Sequence, residues 1–378
     1  RHLVVRRLPF LLHLLAHLSH ITTALDNGLG KTPVLGFNSY MAPTKYHDEL
    51  GLRRVADFFT NHSLDSLGYL YINTDEGWEL KQRNQTTGQL QWDPVKYPSG
   101  LPTFISELHA RGFKYGIYGA ASGVTCGVNP GNLFHEIIDA RTYAAWGVDY
   151  LKSDNCASYA MDPSVRFRAM ADALNASTTT QKPMYFSIEP FSITVDSAQS
   201  YEIANMWRIG CDISSDYETF MNRADLSDKW SPLAGPTTGW NDPDMINLKT
   251  SFTLGENKLY FGLWSILKAP LLLSADLADL ASSTTQPLID MLIGNKELIG
   301  INQDVMGYQA RKLQIDGRVL PWLVGTEDCS QSDATYHTRH LGGWEKRDTR
   351  AWKVVPVKGV SGASGASSST SSSSLSSY

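Results

Sequence analysis

The 378-residue sequence has little net charge and few cysteines. Its formal charge is -5 and it contains no stripe of basic residues, so nucleic acid is not an expected partner. The four cysteines form no C-x-x-C pair, and no His/Cys cluster has the spacing of a zinc site. No G-x-G-x-x-G follows the first predicted strand, which disfavours a dinucleotide-binding fold. We therefore expect neither a metal nor a cofactor.

Long apolar runs are also missing beyond residue 24. At the start of the chain, three arginines precede the apolar run Leu8–Leu18, which is too short to span a bilayer. Together with Thr-Thr-Ala at 22–24, this pattern predicts a signal peptide over residues 1–24, with a mature chain that is secreted and not membrane-bound. Three N-glycosylation sequons fit secretion, and they begin at Asn61, Asn84 and Asn175.

Eight short apolar segments recur at intervals of roughly 30–45 residues, with amphipathic runs between several of them. The segments are PVLGFN at 33, GYLYIN at 68, FKYGIYG at 113, GVDYLKS at 147, PMYFSI at 183, NMWRIG at 205, GWNDPDM at 239 and APLLLS at 269. The runs 101–112 and 136–147 each end in glycine, as helices often do. This alternation predicts an α/β fold, a (β/α)₈ TIM barrel over residues 25–312.

Polar residues follow most of these strands, and the carboxyl ends of barrel strands carry the chemistry of such folds. The residues are Asn38, Asn73, Asp75, Glu76, Tyr118, Lys152, Asp154, Arg208, Asp212, Asp242, Asp244 and Asp276. A single Asp after a strand is most simply a helix cap or a turn residue. Acids at five of the eight ends point instead to a shared acidic site.

The stretch VDYLKSDNC places Lys152 and Asp154 two residues apart, on one face of a strand. A neighbouring cation favours the ionised carboxylate that a nucleophile needs, and Asp154 fits this role. Asp212 is the candidate proton donor. Burial would raise its pKa and Arg208 would lower it, and the sequence leaves that balance open. Two such carboxylates are sufficient for glycoside hydrolysis.

The chain resembles the α-galactosidases of glycoside hydrolase family 27 from about Leu25 to Leu313. The matching segments include LDNGLGKTPVLGFNSY, YINTDEGW, WGVDYLKSDNC, WRIGCDI, GWNDPDM and INQD, in the family's order and spacing. The resemblance implies a retaining, double-displacement hydrolysis of a carbohydrate substrate, with Asp154 as nucleophile and Asp212 as acid/base.

The resemblance also implies roles for further residues. Lys152 and Arg208 would bind sugar hydroxyls, Asp75 and Glu76 the non-reducing end, and Asp244 and Tyr118 would line the pocket. Phe37 would supply an apolar wall in place of the family's Trp, and Phe191 would crowd the 2-hydroxyl, which disfavours a 2-acetamido sugar. Cys126 and Cys156 match a disulfide pair beside the nucleophile.

One departure from the family concerns the acid pair, which is usually Asp-Asp followed by Cys. Here it is Asp75-Glu76 followed by Gly77, so the disulfide that normally involves that cysteine is absent. The added methylene of Glu76 would reach towards the C6 hydroxymethyl of galactose. β-L-Arabinopyranose lacks C6, so a β-L-arabinopyranosidase is an alternative, and an outward rotation of Glu76 that leaves room for galactose is equally open.

A second departure is that the family's C-terminal antiparallel β-sandwich is absent or truncated. Residues 313–358 would be a remnant of it, and the Ser/Gly-rich residues 359–378 a disordered tail. Cys211 has no evident partner; we favour a buried thiol over a bond to Cys329.

Two other functions remain as alternatives. Lys152 could form a Schiff base, as in an aldolase, although the adjacent Asp154 would oppose the lowered pKa that this chemistry needs. The chain could also be a catalytically inactive sugar-binding homologue. The oligomeric state is not predicted.

Overall fold

The computed structural model describes residues 25, 27–157, 161–177, 182–190, 200–214, 216–248, 252–282 and 288–311. The predicted signal peptide, the predicted β-sandwich remnant and tail, Phe191 and Cys329 lie outside these residues. The strands are β1 Leu35–Asn38, β2 Tyr69–Asn73, β3 Lys114–Ala120, β4 Tyr150–Asp154, β5 Tyr185–Ile188, β6 Met206–Arg208, β7 Trp240–Asp242 and β8 Leu271–Leu273.

Helices follow most of the strands. The α-helices are α1 Glu49–Asn61, α2 Leu101–Ala110, α3 Glu136–Trp146, α4 Pro163–Ser177, α5 Ser200–Ile203, α6 Tyr217–Trp230, α7 Leu254–Ile266, α8 Leu277–Leu280 and α9 Lys296–Asn302. Short 3₁₀ turns occupy Thr44–Tyr46, Asp65–Leu67 and Ser231–Leu233, and a π-helical turn occupies Ile289–Ile293. No helix in the described parts of the chain is long and apolar enough to cross a membrane.

The eight strands form one parallel sheet in the order β7-β6-β5-β4-β3-β2-β1-β8. Its two edges meet just beyond β7, where Ile246 forms a parallel bridge with Leu273 of β8. The Ile246 amide donates to the Leu272 carbonyl, and the Ser274 amide donates to the Ile246 carbonyl, both at 2.8 Å. The predicted (β/α)₈ barrel is confirmed.

Local sequence signals account for where the helices begin and end. Helix α2 is followed closely by Gly112 and α3 directly by Gly147, with φ of 86° and 88°. Glycine adopts this left-handed conformation without a Cβ penalty, so both predicted helix ends are confirmed. Helix α7 begins with a capping box in which Thr253 and Glu256 satisfy each other's backbone amides.

Strand alternation separates the inside of the barrel from the layer beneath the helices. One buried cluster consists of Val34, Tyr71, Tyr150, Tyr185, Met206, Met245 and Leu272. The rings of Tyr150 and Tyr185 stack with their centroids 5.4 Å apart. Because side chains two residues apart share a face, this apolar floor places Lys152 and Asp154 above Tyr150, at the carboxyl end of β4.

Candidate active site

The end of β4 holds Asp154 in a fixed orientation. The Tyr118 hydroxyl donates to Asp154 Oδ2 at 2.6 Å, and the Asn155 amide donates to Oδ1 at 2.6 Å. Tyr118 reaches it because β3 and β4 pair in register, with Tyr118 opposite Lys152. Burial raises the pKa of Asp154, against the lowering effects of Lys152 and of both hydrogen bonds.

Lys152 and Arg208 form the buried cationic centre of the barrel mouth. Lys152 Nζ lies 2.7 Å from Asp75 Oδ2 and 3.2 Å from Glu189 Oε1. Arg208 lies 2.8 Å from the same Glu189 oxygen and 2.6 Å from Asp244 Oδ2. Burial lowers the pKa of Lys152, but its acidic neighbours outweigh burial and raise it well above its usual value. A Schiff-base role for Lys152 is disfavoured, because that chemistry needs a neutral amine.

Asp212 follows β6 and is the more open of the two candidate carboxylates, with 46% of its side chain exposed. Arg208 Nη2 donates to Asp212 Oδ1 at 2.9 Å, and the Tyr40 hydroxyl donates to Oδ2 at 3.2 Å. Burial acts to raise the pKa of Asp212, but Arg208 and Lys152 outweigh it and hold that pKa below its usual value. In the balance that the sequence leaves open, the structure therefore favours the neighbouring cations over burial.

Two tyrosines connect these groups around one ammonium. Lys152 Nζ lies 5.2 Å from the ring centroid of Tyr40 and 5.5 Å from that of Tyr118. The Tyr40 hydroxyl binds Asp212 and the Tyr118 hydroxyl binds Asp154. The Lys152 charge acts to lower the pKa of both carboxylates, and the Asp212 charge itself acts to raise the pKa of Asp154.

Asp244 is held in an unusual backbone conformation, with φ of 84°. Its Oδ2 accepts from the Ile213 amide and its Oδ1 from the Met245 amide, both at 2.7 Å. The indole of Trp264 donates to the Asp244 carbonyl at 2.7 Å. A non-glycine residue with positive φ is strained, and these contacts hold Asp244 beside Arg208 despite that cost.

A disulfide joins Cys126 to Cys156, the pair that the resemblance implied, with Cα atoms 5.2 Å apart. The next residue, Gly127, donates its amide to Glu76 Oε1 at 2.7 Å. A Cβ on Gly127 would lie 2.7 Å from that oxygen, so a larger residue at position 127 would push the Glu76 carboxylate aside. The disulfide loop thereby anchors Glu76.

Two expectations from the sequence, for Phe37 and for Cys211, need correction. Phe37 has no exposed surface and packs edge-on against Tyr46, so it cannot form a wall of the pocket. It alternates with Asn38 and so points into the helix-facing core. Cys211 belongs to a disulfide, so the favoured buried thiol is wrong; the partner that the sequence offers, Cys329, lies outside the described residues.

The sequence-based list of site residues omits two that the structure brings into the cluster, Glu189 and Tyr40. Glu189 follows β5 and bridges Lys152 and Arg208 from a buried position. Its place after a strand is the same signal that marked the other acids. Tyr40 lies in the turn after β1 and reaches an acid 172 residues away, a contact that no local pattern indicates.

Among the described residues, the grouping with the spacing of metal ligands is Cys126, Asp154 and Cys156. The two sulfurs are bonded to each other, so neither is available as a thiolate.

Of the three sequon asparagines, Asn61 and Asn175 are exposed and Asn84 is half-buried.

Comparisons with known proteins identify the family. The family model described as alpha-galactosidase A matches residues 42–304. The alpha-galactosidase 3 of Arabidopsis thaliana is 37% identical over 308 residues, which are 81% of this chain and 66% of that protein. The alpha-galactosidase of Oryza sativa subsp. japonica is 35% identical over 79% of this chain and 70% of its own length. The chain thus spans about two thirds of the length of these relatives.

Solved structures show the same fold. Alpha-galactosidase I from Mortierella vinacea superposes with a TM-score of 0.69 at 31% identity, covering 77% of this chain and 78% of that one. A β-L-arabinopyranosidase from Geobacillus stearothermophilus has a TM-score of 0.64 at 21% identity, covering 74% and 78%, a likeness of fold alone. The family match covers well over half of the chain, and the chain therefore belongs to the melibiase family described as alpha-galactosidase A.

Proposed function

We propose that this protein is a secreted, retaining glycosidase that removes terminal α-D-galactosyl residues from oligo- or polysaccharides. The observation that carries the proposal is the shared ammonium of Lys152, flanked by two tyrosines of which each binds one candidate catalytic carboxylate. A nucleophile and a proton donor that act on one glycosidic bond must face one pocket in this way.

The reaction would proceed in two displacements. Asp154 attacks the anomeric carbon while Asp212 gives its proton to the departing oxygen, leaving the sugar esterified to Asp154. Asp212, now ionised, then takes a proton from water, which attacks the same carbon and releases Asp154. Two inversions give net retention.

These pKa directions are the reverse of those that the first step needs, since the pKa of Asp154 is raised and the pKa of Asp212 is lowered. A bound sugar would cover the exposed part of Asp212 and so remove water from it. Loss of solvation favours the protonated acid, and this is how binding would prepare Asp212 to donate.

The sugar hydroxyls would be bound by charged side chains that already neutralise each other. Asp75, Lys152, Glu189, Arg208 and Asp244 form one buried network at the barrel mouth. Charged donors and acceptors give strong hydrogen bonds, and a hydroxyl of the wrong configuration would leave one of them unpaired.

The test is hydrolysis of aryl α-galactosides by the purified protein and by two variants. We expect Asp154→Ala and Asp212→Ala each to lose about 10³–10⁴-fold in kcat. With an activated aryl galactoside, added azide should rescue both variants. The Asp212 variant should yield the α-azide, with retained configuration, and the Asp154 variant the β-azide. Retained activity in Asp154→Ala would refute the assignment.

A second candidate, a β-L-arabinopyranosidase, is favoured by one observation. Glu76 carries one methylene more than the family's usual Asp, and the Gly127 amide holds its carboxylate at 2.7 Å. A carboxylate held there would favour a pentose without C6 if it lies along the path of the C6 hydroxymethyl.

The ratio of kcat/KM for aryl α-galactoside and aryl β-L-arabinopyranoside separates the two candidates. If Glu76 favours the pentoside, Glu76→Asp should raise the galactoside-to-pentoside ratio by roughly tenfold, as one methylene contact contributes about 1–3 kcal/mol. Glu218→Asp, at an exposed position in α6, is the matched control. An unchanged ratio in Glu76→Asp would show that Glu76 does not set specificity.

A further inference from the structure

Tyr40 connects the first strand of the barrel to the candidate acid/base on the far side of the mouth. It lies two residues beyond β1, where its amide donates to Asn38 Oδ1 at 2.8 Å. Its side chain is 47% exposed, yet its hydroxyl reaches Asp212 Oδ2 at 3.2 Å and its ring faces Lys152. The turn that Asn38 closes thus directs the phenol across the opening.

The two oxygens of Asp212 are held by different parts of the barrel. Arg208, on the strand just before it, binds Oδ1 at 2.9 Å, whereas Tyr40 binds Oδ2. The other charged groups that act on Asp212 or on Tyr40 are Lys152 and Asp154 on β4, Glu189 after β5 and Asp75 after β2. The Tyr40 hydroxyl is thus a neutral donor to Oδ2, whereas Arg208 is a charged donor to Oδ1.

We propose that Tyr40 is a positioning residue for the reaction, whose hydroxyl holds the Asp212 carboxylate in place while Asp212 acts first as the acid and then as the base. This inference rests on the proposed function, in which Asp212 is the acid/base. A hydroxyl that donates to a carboxylate favours its ionised form. The bond therefore opposes the proton that Asp212 needs in the first step and supports the ionised state that it needs in the second.

Tyr40→Phe isolates the hydroxyl, because it keeps the ring over Lys152. Two interacting acids titrate with two apparent pKa values that belong to the pair. When the hydroxyl is removed, the pKa of Asp212 increases. The sum of the two apparent pKa values rises by that same amount, whichever of the two carboxylates loses its proton first. We expect the two apparent pKa values of the kcat/KM profile to rise in sum by about one unit, a tenfold change in the product of the ionisation constants.

The experiment is the pH profile of kcat/KM on an aryl α-galactoside for the full chain, Tyr40→Phe and the control Tyr308→Phe. Tyr308 is 72% exposed and follows the last described helix. A rise in the sum for Tyr40→Phe alone, with KM within about twofold of the parent, is the expected result.

Two outcomes would overturn the inference. An active Tyr40→Phe variant with an unchanged sum would remove the role of the Tyr40 hydroxyl and leave the proposed function intact, even if KM changed. A parent protein that hydrolyses no aryl glycoside would overturn both, because the role of Tyr40 depends on Asp212 as acid/base.

Discussion

Replacing both Cys126 and Cys156 by serine should weaken the barrel and impair the proposed nucleophile together. The bond joins positions 30 residues apart. The chain-entropy relation for a loop of that length gives about 3.6 kcal/mol of stabilisation. For a domain of this size, 1 kcal/mol corresponds to about 2 °C in Tm, so we expect Tm to fall by roughly 7 °C.

The same variant should lower activity below the melting range. Cys156 lies two residues beyond Asp154, and Cys126 precedes the Gly127 amide that holds Glu76. Displacements of about 1 Å at a reacting group can lower the rate by about 100-fold, so kcat/KM should fall by 10- to 100-fold at 25 °C.

Thermal unfolding followed by circular dichroism, and initial rates at 25 °C, measure the two effects. Val95→Ser serves as the control, because Val95 is an exposed apolar residue away from the disulfide. A fall in Tm of less than about 2 °C would contradict the entropic estimate. An unchanged kcat/KM would show that the disulfide does not position Asp154.

Two further predictions concern charge. In the proposed mechanism, activity needs one proton shared by Asp154 and Asp212, so kcat/KM should fall at both low and high pH. The optimum should lie on the acid side, because Arg208 and Lys152 outweigh burial and depress the pKa of Asp212; a rate still rising at about pH 8 would contradict this. Arg83→Met should cost about 3–5 kcal/mol in urea unfolding at pH 7, because Asp139 is fully buried against Arg83 at 2.6 Å. Burial already raises the pKa of Asp139, so Asp139 becomes neutral in acid and the loss of unfolding free energy should shrink there. A loss below about 1 kcal/mol at pH 7 would contradict this prediction.

The parts of the fold that follow a short period could be predicted from the sequence. Tyr150, Lys152 and Asp154 alternate along β4, and the structure places them in order up the inside of the barrel. Alternation also explains the error at Phe37. Val34 belongs to the cluster inside the barrel, whereas Leu35 and Phe37 belong to the cluster beneath the helices. The resemblance obscured what this period of two indicates.

The parts of the site that depend on barrel closure could not be predicted. Tyr40 and Asp212 are 172 residues apart, and their contact exists only because β1 and β6 curve around one opening. The pKa direction of Asp212 depends on distances to Arg208 and Lys152 that the sequence does not contain. The same is true of the shared contact of Glu189 with those two cations.

Mass spectrometry of a trapped intermediate tests the central claim most directly. An activated, fluorinated galactoside forms the glycosyl-enzyme but hydrolyses slowly, so the modified peptide can be isolated and sequenced. We predict one sugar per chain, esterified to Asp154, and no label in Asp154→Asn. A label on Glu189 or another carboxylate, or turnover of the probe without any covalent adduct, would contradict the account.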